Sequence, residues 1–380
     1  MERDHVPVTD LTILSTGHHV ADARLHQLAG AAVEAGVTVT VRAHGPAGDA
    51  PPGVTYLGRT QRPRRSRRFV SALVVPAQPR DPVLMILDPD LIIPSWFWAR
   101  LRRRKLIVDI HEDYDAVSRD RPWVRGTLGP LVRLTVRLSM WFAARADLTV
   151  VADDHLPPRA AYRRLVARPS PERFATPDLE ARHRSRPRAV YVGDVRPSRG
   201  LWSMLEAIAS APCWSLDIVG RLSEVSHTEV TARLDDLGIA DRVTLHGQQP
   251  PERSWSIAQG AWCGLALLDD TPAYRATVPN KVHEYLAAGL PVLASPLPRV
   301  AELLDETGAG AVVASPEAAG ALLRRWGCDP AAIERMARAG ICWTRSRPDE
   351  SSGFEELASH IRRMIGNHHG PSSTHDRQQR

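Results

Sequence analysis

Residues 278–295 read Val278-Pro-Asn-Lys-Val-His-Glu-Tyr-Leu-Ala-Ala-Gly-Leu-Pro-Val-Leu-Ala-Ser295, and this segment is the most specific indication of the fold. Pro279 suits the start of a helix, Gly289 suits its C-terminal cap, and Pro291–Leu293 begins a buried strand. A loop that leads into a helix N-terminus presents unpaired backbone N–H groups and the positive end of the helix dipole. The segment therefore predicts a helix–strand unit of a parallel sheet, with a diphosphate site where the helix begins.

Two charged side chains lie in the first turns of this helix, next to Asn280. Lys281 would place a point charge beside the diphosphate, whereas a cation at this end opposes the helix dipole unless an anion lies between them. Glu284 offers only hydrogen-bond acceptors, which the two hydroxyls of a ribose require. The alternative is a solvent-facing ion pair between Lys281 and Glu284, worth roughly a few tenths of a kcal/mol. The complete string, within a two-domain chain, favours a nucleotide site.

Short apolar runs alternate with helical segments along the whole chain, which predicts parallel, doubly wound sheets. In the first half of the chain the predicted strands are Leu11–Ser15, Val37–Arg42, Val83–Leu87, Lys105–Asp109 and Leu148–Val151. In the second half they are Ala189–Val192, Leu216–Val219, Val243–His246, Gly264–Leu268, Pro291–Ala294 and Ala311–Val313. Each sheet should bind its ligand at the carboxyl ends of its strands.

A chain of 380 residues is long enough for two domains of similar size. Residues 169–188, rich in Pro, Arg and Ser, break the alternation and are predicted to be a linker. They separate an N-terminal Rossmann-like domain (residues 1–168) from a C-terminal one (residues 189–366), and the polar residues 367–380 are predicted to be a disordered tail. We expect the two domains to face a central cleft.

The sequence excludes several classes of protein. No apolar run approaches the roughly 20 residues needed to cross a bilayer, and the polar N-terminus has no apolar signal core. The four cysteines are widely spaced, which argues against a disulfide framework and a structural zinc site. We therefore expect a cytoplasmic protein. We also expect no cofactor and no required metal, because Arg199, Lys281 and the N–H groups at the helix start would stabilise the charge of a diphosphate.

The charge is unevenly distributed. Residues 1–188 contain 30 Lys and Arg against 20 Asp and Glu, whereas residues 189–380 contain 19 against 23. A basic N-terminal half attracts anionic lipid, nucleic acid or an anionic substrate, or is simply a solvated surface. We expect no nucleic-acid partner, and peripheral contact with the inner face of the membrane through this half, where the basic strings Arg62–Arg68 and Arg100–Lys105 are candidates.

The predicted helix Leu131–Arg145 bears on the same question. With Arg133 and Arg137 on one side it is either an interfacial helix or an amphipathic helix packed in the core. We expect the core-packed arrangement.

The segment 278–295 resembles the donor-binding signature of the retaining glycosyltransferases of family 4. It is similar to the branch with a Pro-x-Lys-x-x-Glu-Tyr motif, which here consists of Pro279, Lys281, Glu284 and Tyr285. Many members have a first glutamate eight positions before the second, where this chain has Ala276. The resemblance covers nearly the whole chain and implies the GT-B fold, in which two Rossmann-like domains bind a donor and an acceptor.

The segment Tyr191–Leu201 is the second match to the family. There an Arg just after the first glycine and a Lys or Arg before the second bind the diphosphate. Arg199 matches the latter position, Asp194 stands at the former, and we expect Arg196 to compensate. The resemblance implies a donor site that consists of Gly193, Arg196, Arg199, Gly220, Arg221, Gly247, Asn280, Lys281 and Glu284.

In the N-terminal half, Val108–Asp113 resembles the family's Asp-x-His-Glu motif, whose histidine lies near the donor sugar. His111 is therefore predicted to be catalytic, together with Arg199 and Lys281. The turn after the first strand lacks GxGxxG, which disfavours a dinucleotide site, and resembles the branch's Asp-x-Arg start of the first helix. The predicted acceptor-binding residues are Gly17, His18, Asp22, Arg24 and Glu112, with His19 as an alternative to His18.

The string Asp88-Pro-Asp90 mimics the metal-binding motif of the other large glycosyltransferase fold. That fold has a single-domain architecture, which the two-domain pattern opposes. We therefore expect Asp88-Pro-Asp90 to form a turn at the end of a strand and to bind no metal.

The predicted function is transfer of a sugar from a nucleoside diphosphate such as UDP or GDP to a hydroxyl acceptor, with retention of configuration. The acceptor would be a cell-envelope glycan or lipid, or a secondary metabolite. Two alternatives remain: a GT-B nucleotide-sugar epimerase, and a non-catalytic glycosyltransferase-like binding protein. The departures at Ala276 and Asp194 motivate the non-catalytic one.

Overall fold

The computed structural model describes residues 8–58, 71–115, 129–168, 186–275, 277–346 and 352–369. The chain divides into two compact units: Met1–Pro169 with Asp349–Arg380, and Ser170–Pro348. Of the predicted linker, only residues 186–188 lie within the described part. Within the described ranges, no helix is both long and apolar enough to cross a membrane.

The first unit contains a parallel seven-stranded sheet of the order β3-β2-β1-β4-β5-β6-β7. Its strands are β1 (Leu11–His19), β2 (Val39–His44), β3 (Thr55–Tyr56), β4 (Val83–Ile86), β5 (Lys105–Ile110), β6 (Leu148–Val151) and β7 (Arg164–Val166). The helices described between them are α1 (Ala23–Glu34), α2 (Pro89–Leu101) and α3 (Gly129–Ala143). Apolar residues form two separate core clusters in this unit.

The second unit contains a parallel six-stranded sheet of the order β10-β9-β8-β11-β12-β13. Its strands are β8 (Arg188–Val192), β9 (Ser215–Val219), β10 (Val243–Gly247), β11 (Cys263–Ala266), β12 (Val292–Ala294) and β13 (Gly310–Val312). Its helices are α4 (Leu201–Ala209), α5 (His227–Asp236), α6 (Pro251–Ala258), α7 (Pro272–Arg275), α8 (Asn280–Ala287), α9 (Pro298–Thr307), α10 (Pro316–Cys328) and α11 (Pro330–Ser346). The last helix of the chain is α12 (Ser352–His369).

Both sheets are doubly wound, as predicted. In each one the strand order reverses beside the first strand in sequence, between β1 and β4 in the first unit and between β8 and β11 in the second. Loops diverge above and below the sheet at such a reversal, and ligands of open α/β sheets bind in the resulting crevice. The eleven predicted strands are all present, and β3 and β7 are two short edge strands that the sequence analysis did not predict.

The last helix corrects the predicted end of the second domain. Its apolar side chains recur every three or four residues and are buried in a core of the first unit, against α1, β4 and β7; they are Phe354, Leu357, Ile361 and Met364. The second unit therefore ends at Pro348 and not at residue 366, because α12 covers the first sheet. The predicted disordered tail begins inside this helix, and its residues 370–380 lie outside the described part of the chain.

Helix α3 combines the two predicted arrangements. Val136, Met140 and Phe142 pack against a core of the first unit, as expected of a core-packed helix. The other large apolar side chains are exposed: Leu131, Leu134, Leu138 and Trp141. The predicted basic string at residues 62–68 lies outside the described part of the chain.

One buried tyrosine links the two strands at the reversal point of the second sheet. The hydroxyl of Tyr285, on α8, accepts a hydrogen bond from the backbone N–H of Val192 (3.0 Å) and donates one to the carbonyl of Leu265 (3.3 Å). Its ring lies on Gly264, where a Cβ atom would come within 2.4 Å of the ring carbons. These contacts fix the position of α8 against the ends of β8 and β11.

We predict that Tyr285→Phe loosens this junction. The substitution keeps the ring but leaves the buried N–H of Val192 without its acceptor, which should lower the local free energy of unfolding by about 1–3 kcal/mol. Hydrogen exchange of β8 and β11, followed by mass spectrometry, measures this change. The matched control is Tyr162→Phe, because Tyr162 is 77% exposed; equal exchange in the two variants would contradict the account.

Candidate functional site

Lys281 is a buried cation at the start of α8. Its side chain is 7% exposed, and its Nζ donates no hydrogen bond to any described residue. The ammonium lies 3.5 Å from the centre of the Tyr191 ring, a cation–π contact. Burial, followed by the charge of Arg199, lowers the pKa of Lys281 well below its usual value. A buried ammonium is costly unless an anion accompanies it, so this position suits a negatively charged ligand.

Glu284 lies one turn further along α8. Burial raises the pKa of its carboxyl to about 7, against the opposing charge of Lys281. Asn280, the first residue of the helix, is exposed. The three predicted donor-site residues of this segment thus lie on the first turns of one helix, at the carboxyl edge of the sheet.

Glycines let backbone approach this lysine closely. Gly193, which follows β8, has a φ of +135°, and a Cβ atom there would lie 3.4 Å from the Nζ of Lys281. Gly220, which follows β9, has a φ of +149°, and its Cβ atom would lie 1.7 Å from the carbonyl oxygen of Gly193. Only glycine fits at Gly220. These residues and Gly247, whose carbonyl accepts the N–H of Gly220 (2.8 Å), form one layer of strand-end turns.

Arg199 lies in a 3₁₀ turn, Pro197–Arg199, that comes before α4. Gly200 ends this turn with a φ of +83°, and a Cβ atom there would lie 1.9 Å from the carbonyl oxygen of Leu267. The glycine thus lets the turn reach the end of β11. The Nε of Arg199 donates to no described residue, and its charge reaches Lys281. Arg199 and Lys281 are two cations that converge at the reversal point of the sheet.

Tyr274 joins the same cluster, although the sequence analysis did not select it. Its hydroxyl accepts a hydrogen bond from the Nη2 of Arg196 (3.0 Å). Burial opposes the change, but the hydrogen bond from Arg196 and the charge of Arg199 lower the pKa of Tyr274. An anion bound near these arginines would meet a phenol that is able to donate.

Asp194 occupies the position at which the sequence analysis expected an arginine, and its carboxylate lies near two arginines, Arg196 and Arg221. Its carboxylate accepts a hydrogen bond from the hydroxyl of Ser223 (2.5 Å) and lies 3.7 Å from the Nε of Arg196. The Nη2 of Arg221 lies 4.0 Å from the Oδ1 of Asp194, the oxygen that Ser223 also contacts. The Nη1 of Arg196 lies 3.8 Å from the carboxylate of Glu224. Asp194 and Tyr274 thus hold the guanidinium of Arg196 in place. That Arg196 replaces the missing arginine in binding the diphosphate stays a prediction.

The first unit has its own cluster where β1 and β4 end. The Oδ2 atom of Asp88 accepts hydrogen bonds from the hydroxyl of Ser15 (2.5 Å) and from the backbone N–H groups of Thr16 (2.7 Å) and Gly17 (3.1 Å). Thr16 also donates to Asp90 (3.0 Å). Asp88 immediately precedes α2, and Pro89 and Asp90 are its first residues, so the expected turn is the start of a helix whose carboxylates anchor the last part of β1. No metal-binding group of three or more His, Cys, Asp or Glu side chains occurs in the described ranges.

Two histidines meet beside this anchor. The Nε2 atoms of His18 and His111 are 3.1 Å apart, and their other ring nitrogens face carboxylates: Asp88 at 3.2 Å and Asp109 at 3.3 Å. Burial opposes the change, but the hydrogen bond and charge of Asp88 raise the pKa of His18 to about 9. Protonated His18 then donates to the lone pair of His111, whose Nδ1–H donates to Asp109.

Arg24, one of the predicted acceptor-binding residues, lies in the interior of the first unit. Arg24 is buried, and its guanidinium binds Asp109 (2.6 Å) and stacks on Phe354 of α12. This ion pair lowers the pKa of Asp109 to about 2, although burial opposes it. Arg24 therefore positions His111 through Asp109 and has no surface for an acceptor, contrary to the prediction.

The other residues of this group are accessible in part. Asp22 caps the N-terminus of α1 by accepting the N–H of Leu25 (3.1 Å). Glu112 is exposed. His19 accepts the N–H of Ala21 (3.1 Å) and packs against His44, so His18 is the histidine of this pair that meets His111.

Four residues that position these side chains were not selected from the sequence. They are Asp88, Asp109, Tyr191 and Tyr274. Asp109 and Tyr191 lie inside two motifs that the sequence analysis identified, Val108–Asp113 and Tyr191–Leu201, so these motifs could have indicated them. Asp88 is distant from His18 in sequence, and only the parallel pairing of β1 with β4 brings the two together.

Part of the second unit matches a family of known proteins. Residues 186–326 match the family model described as "Glycosyl transferases group 1". No curated protein matches the chain in sequence.

Solved structures match nearly the whole chain. Sucrose-phosphate synthase from Thermosynechococcus elongatus is 17% identical, with a TM-score of 0.66 over 93% of this chain and 98% of that one. HepE from Anabaena, in complex with UDP and glucose, is 12% identical, with a TM-score of 0.63 over 93% and 100%. WaaG, a glycosyltransferase involved in lipopolysaccharide biosynthesis, is 14% identical, with a TM-score of 0.61 over 92% and 99%.

These comparisons define the class of protein. The chain has the two Rossmann-like sheets of the GT-B glycosyltransferases. The family match is confined to residues 186–326, within the second unit.

We predict that Asp88→Asn lowers the pKa of His18 from about 9, since Asp88 supplies the hydrogen bond and the largest charge that oppose burial, and only the weaker charges of Asp22 and Glu112 remain. A folded-state pKa above the unfolded one stabilises the protein fully below pH 6.5, and this contribution is lost as the pH rises through about 9. At about 1.4 kcal/mol per unit, the pH-dependent contribution is at most about 3.5 kcal/mol.

The measurement is an NMR titration of the histidine rings, together with urea unfolding across this pH range. Asp90→Asn is the matched control, because Asp90 contacts Thr16 and does not contribute to the pKa shift of His18. A His18 titration that is the same in wild type and Asp88→Asn would contradict the assignment.

Proposed function

We propose that this chain is a retaining glycosyltransferase of family 4 that moves a sugar from a nucleoside diphosphate to a hydroxyl acceptor. One observation carries the proposal. The Nζ of Lys281 is buried at a helix N-terminus, has no hydrogen-bond partner in the described part of the chain, and lies against the backbone of Gly193. A diphosphate offers the charge that this arrangement lacks.

The proposed role of the second unit is to bind the donor and stabilise its leaving group. Negative charge gathers on the diphosphate as the bond to the sugar breaks. Lys281, Arg199 and the N–H groups at the start of α8 stabilise that charge electrostatically, so the reaction requires no metal. Glu284 would accept hydrogen bonds from the ribose hydroxyls, for which its carboxyl must be ionised.

The proposed role of the first unit is to bind the acceptor, with His111 at the reaction centre. The acceptor oxygen attacks the anomeric carbon on the face from which the diphosphate leaves, and its proton passes to the departing phosphate oxygen. The new bond thus has the configuration of the old one. His18, held by Asp88, fixes the ring of His111 and contributes a positive charge beside it.

Two features guide the choice of substrates. The HepE structure contains UDP and glucose, which makes UDP-sugars the first donors to test, with GDP-sugars next. WaaG is named for lipopolysaccharide biosynthesis, which supports a cell-envelope glycan or lipid as acceptor, with small secondary metabolites as the other class. We propose a cytoplasmic location, with peripheral contact at the inner face of the membrane.

The test is a transfer assay with UDP-, GDP- and dTDP-sugars and hydroxyl acceptors in the presence of EDTA. We expect acceptor-dependent release of one nucleoside diphosphate and a product with the anomeric configuration of the donor. Glu284→Ala and His111→Ala should each lower kcat/KM by about 10- to 1,000-fold, because each removes a contact to donor or sugar. Glu302→Ala, at an exposed glutamate on α9, is the matched control.

Each alternative has its own outcome in this assay. An inverted product would exclude the retaining mechanism, and activity that EDTA removes and a divalent cation restores would exclude metal independence. A changed sugar without any acceptor would identify an epimerase. A folded protein that binds none of the three nucleotides would be a non-catalytic relative.

A further inference from the structure

Helices α2 and α3 of the first unit form an exposed face that is both apolar and strongly basic. Its apolar side chains are each between 44% and 72% exposed; they are Phe97, Leu101, Leu131, Leu134, Leu138 and Trp141. We refer to these residues and the arginines beside them as the α2–α3 face. Single exposed leucines are common on soluble proteins, whereas a contiguous group of this size marks an interaction surface.

Helix α3 exposes large apolar side chains in addition to those that pack against the core, which are Val136, Met140 and Phe142. Leu131, Leu134, Leu138 and Trp141 recur at intervals of three and four residues, which places them along one stripe. This stripe lies opposite the small buried residues Gly129, Ser139 and Ala143. Burial of apolar area within the first unit therefore does not account for four large apolar residues on the outer side.

Positive charge surrounds the stripe. The exposed arginines are Arg100, Arg102 and Arg103 at the end of α2, and Arg133, Arg137 and Arg145 on or after α3. Residues 91–108 and 129–146 contain no Asp or Glu. The face thus combines at least six positive charges with no acidic residue from either helix segment.

Three of these arginines lie over tryptophan rings. The guanidinium of Arg145 is 3.5 Å from the ring centre of Trp141, that of Arg100 is 5.3 Å from Trp96, and that of Arg102 is 5.5 Å from Trp98. Tryptophan and arginine both place an apolar body beside a polar end, which suits the boundary between hydrocarbon and water.

Aromatic contacts make this face a single surface. The rings of Trp96 and Phe142 are 5.1 Å apart, and those of Phe97 and Phe142 are 5.6 Å apart. Arg100 also donates a hydrogen bond to the carbonyl of Arg145 (3.1 Å). The two helices therefore present their exposed leucines and arginines together and in a fixed arrangement.

We propose that the α2–α3 face binds the surface of a lipid bilayer that contains anionic lipids. The leucines and Trp141 enter the headgroup region, and the arginines bind lipid phosphates. Each buried methylene contributes about 0.8 kcal/mol, and each basic residue near an anionic surface about 1 kcal/mol. The inference gives the proposed peripheral contact a specific surface, and it does not depend on the transferase reaction.

Charge complementarity distinguishes this partner from a second copy of the chain. A symmetric pair of copies would place the same surface on both sides of the interface. The arginines of one α2–α3 face would then oppose those of the other, at a cost in like-charge repulsion. An anionic bilayer satisfies both the apolar stripe and the arginines.

The test is flotation of the full chain with vesicles of phosphatidylcholine, alone and mixed with phosphatidylglycerol. We expect binding to the mixed vesicles only. Leu134→Ser together with Leu138→Ser should weaken it at least about tenfold, without a change in charge. Arg133→Glu together with Arg137→Glu should abolish it. The matched charge control is Arg335→Glu with Arg338→Glu, at exposed positions on α11 of the second unit.

Circular dichroism checks that each variant is folded, and UDP binding by the same samples reports separately on the donor site. Lack of binding to mixed vesicles by a folded protein would overturn the proposal, whether or not UDP binds. So would equal binding by wild type and the leucine variant. Self-association that the leucine substitutions abolish, without vesicle binding, would identify a second copy as the partner and also overturn it.

Discussion

The site in the second unit depends on the hydroxyl of Tyr285. It bridges β8 and β11 at the point where their connections diverge, and so fixes α8 against the sheet. Lys281 lies one turn before Tyr285 on the same side of the helix, so the bridge directs its ammonium to Tyr191 and Gly193. Gly264 is part of the same constraint, since any side chain there would displace the Tyr285 ring. The position of one buried phenol thus determines where the buried cation lies.

The two units place different charged side chains at the same position of their sheets. Both bring charged side chains to a strand-order reversal, where open α/β sheets bind ligands. The second unit gathers Lys281, Arg196 and Arg199, and the carboxylate of Asp194 lies 3.7 Å from the Nε of Arg196. The first unit pairs each histidine with its own carboxylate, and the buried ion pair of Arg24 with Asp109 holds one of these carboxylates in place. This division matches a site for an anionic donor and a site for a neutral hydroxyl acceptor.

Alternating apolar runs were enough to predict both sheets, because buried parallel strands leave a local signal. The strings around Lys281 and His111 located the two clusters because they resemble the motifs of a known family. Long-range packing was not predictable in this way. The spacing of Phe354, Leu357 and Ile361 contains a helical signal, but the sequence does not say that this helix covers the first sheet. Similarly, the leucines of α3 have helical spacing, and nothing local indicates that they point outward. Arg24 matched a family motif, yet its buried partner Asp109 is 85 residues away.

We propose that Lys281 binds the diphosphate of UDP. The test is calorimetric titration of UDP between about pH 7 and 10, in buffers of different ionisation enthalpy. Burial lowers the pKa of Lys281 and a bound diphosphate should raise it, so the proton uptake on binding should increase as the pH rises. In Lys281→Met the uptake should disappear and the affinity fall at least about tenfold, whereas Arg221→Met, at a more exposed arginine of the same cluster, should keep the uptake. Equal proton uptake and equal affinity in wild type and Lys281→Met would contradict the account.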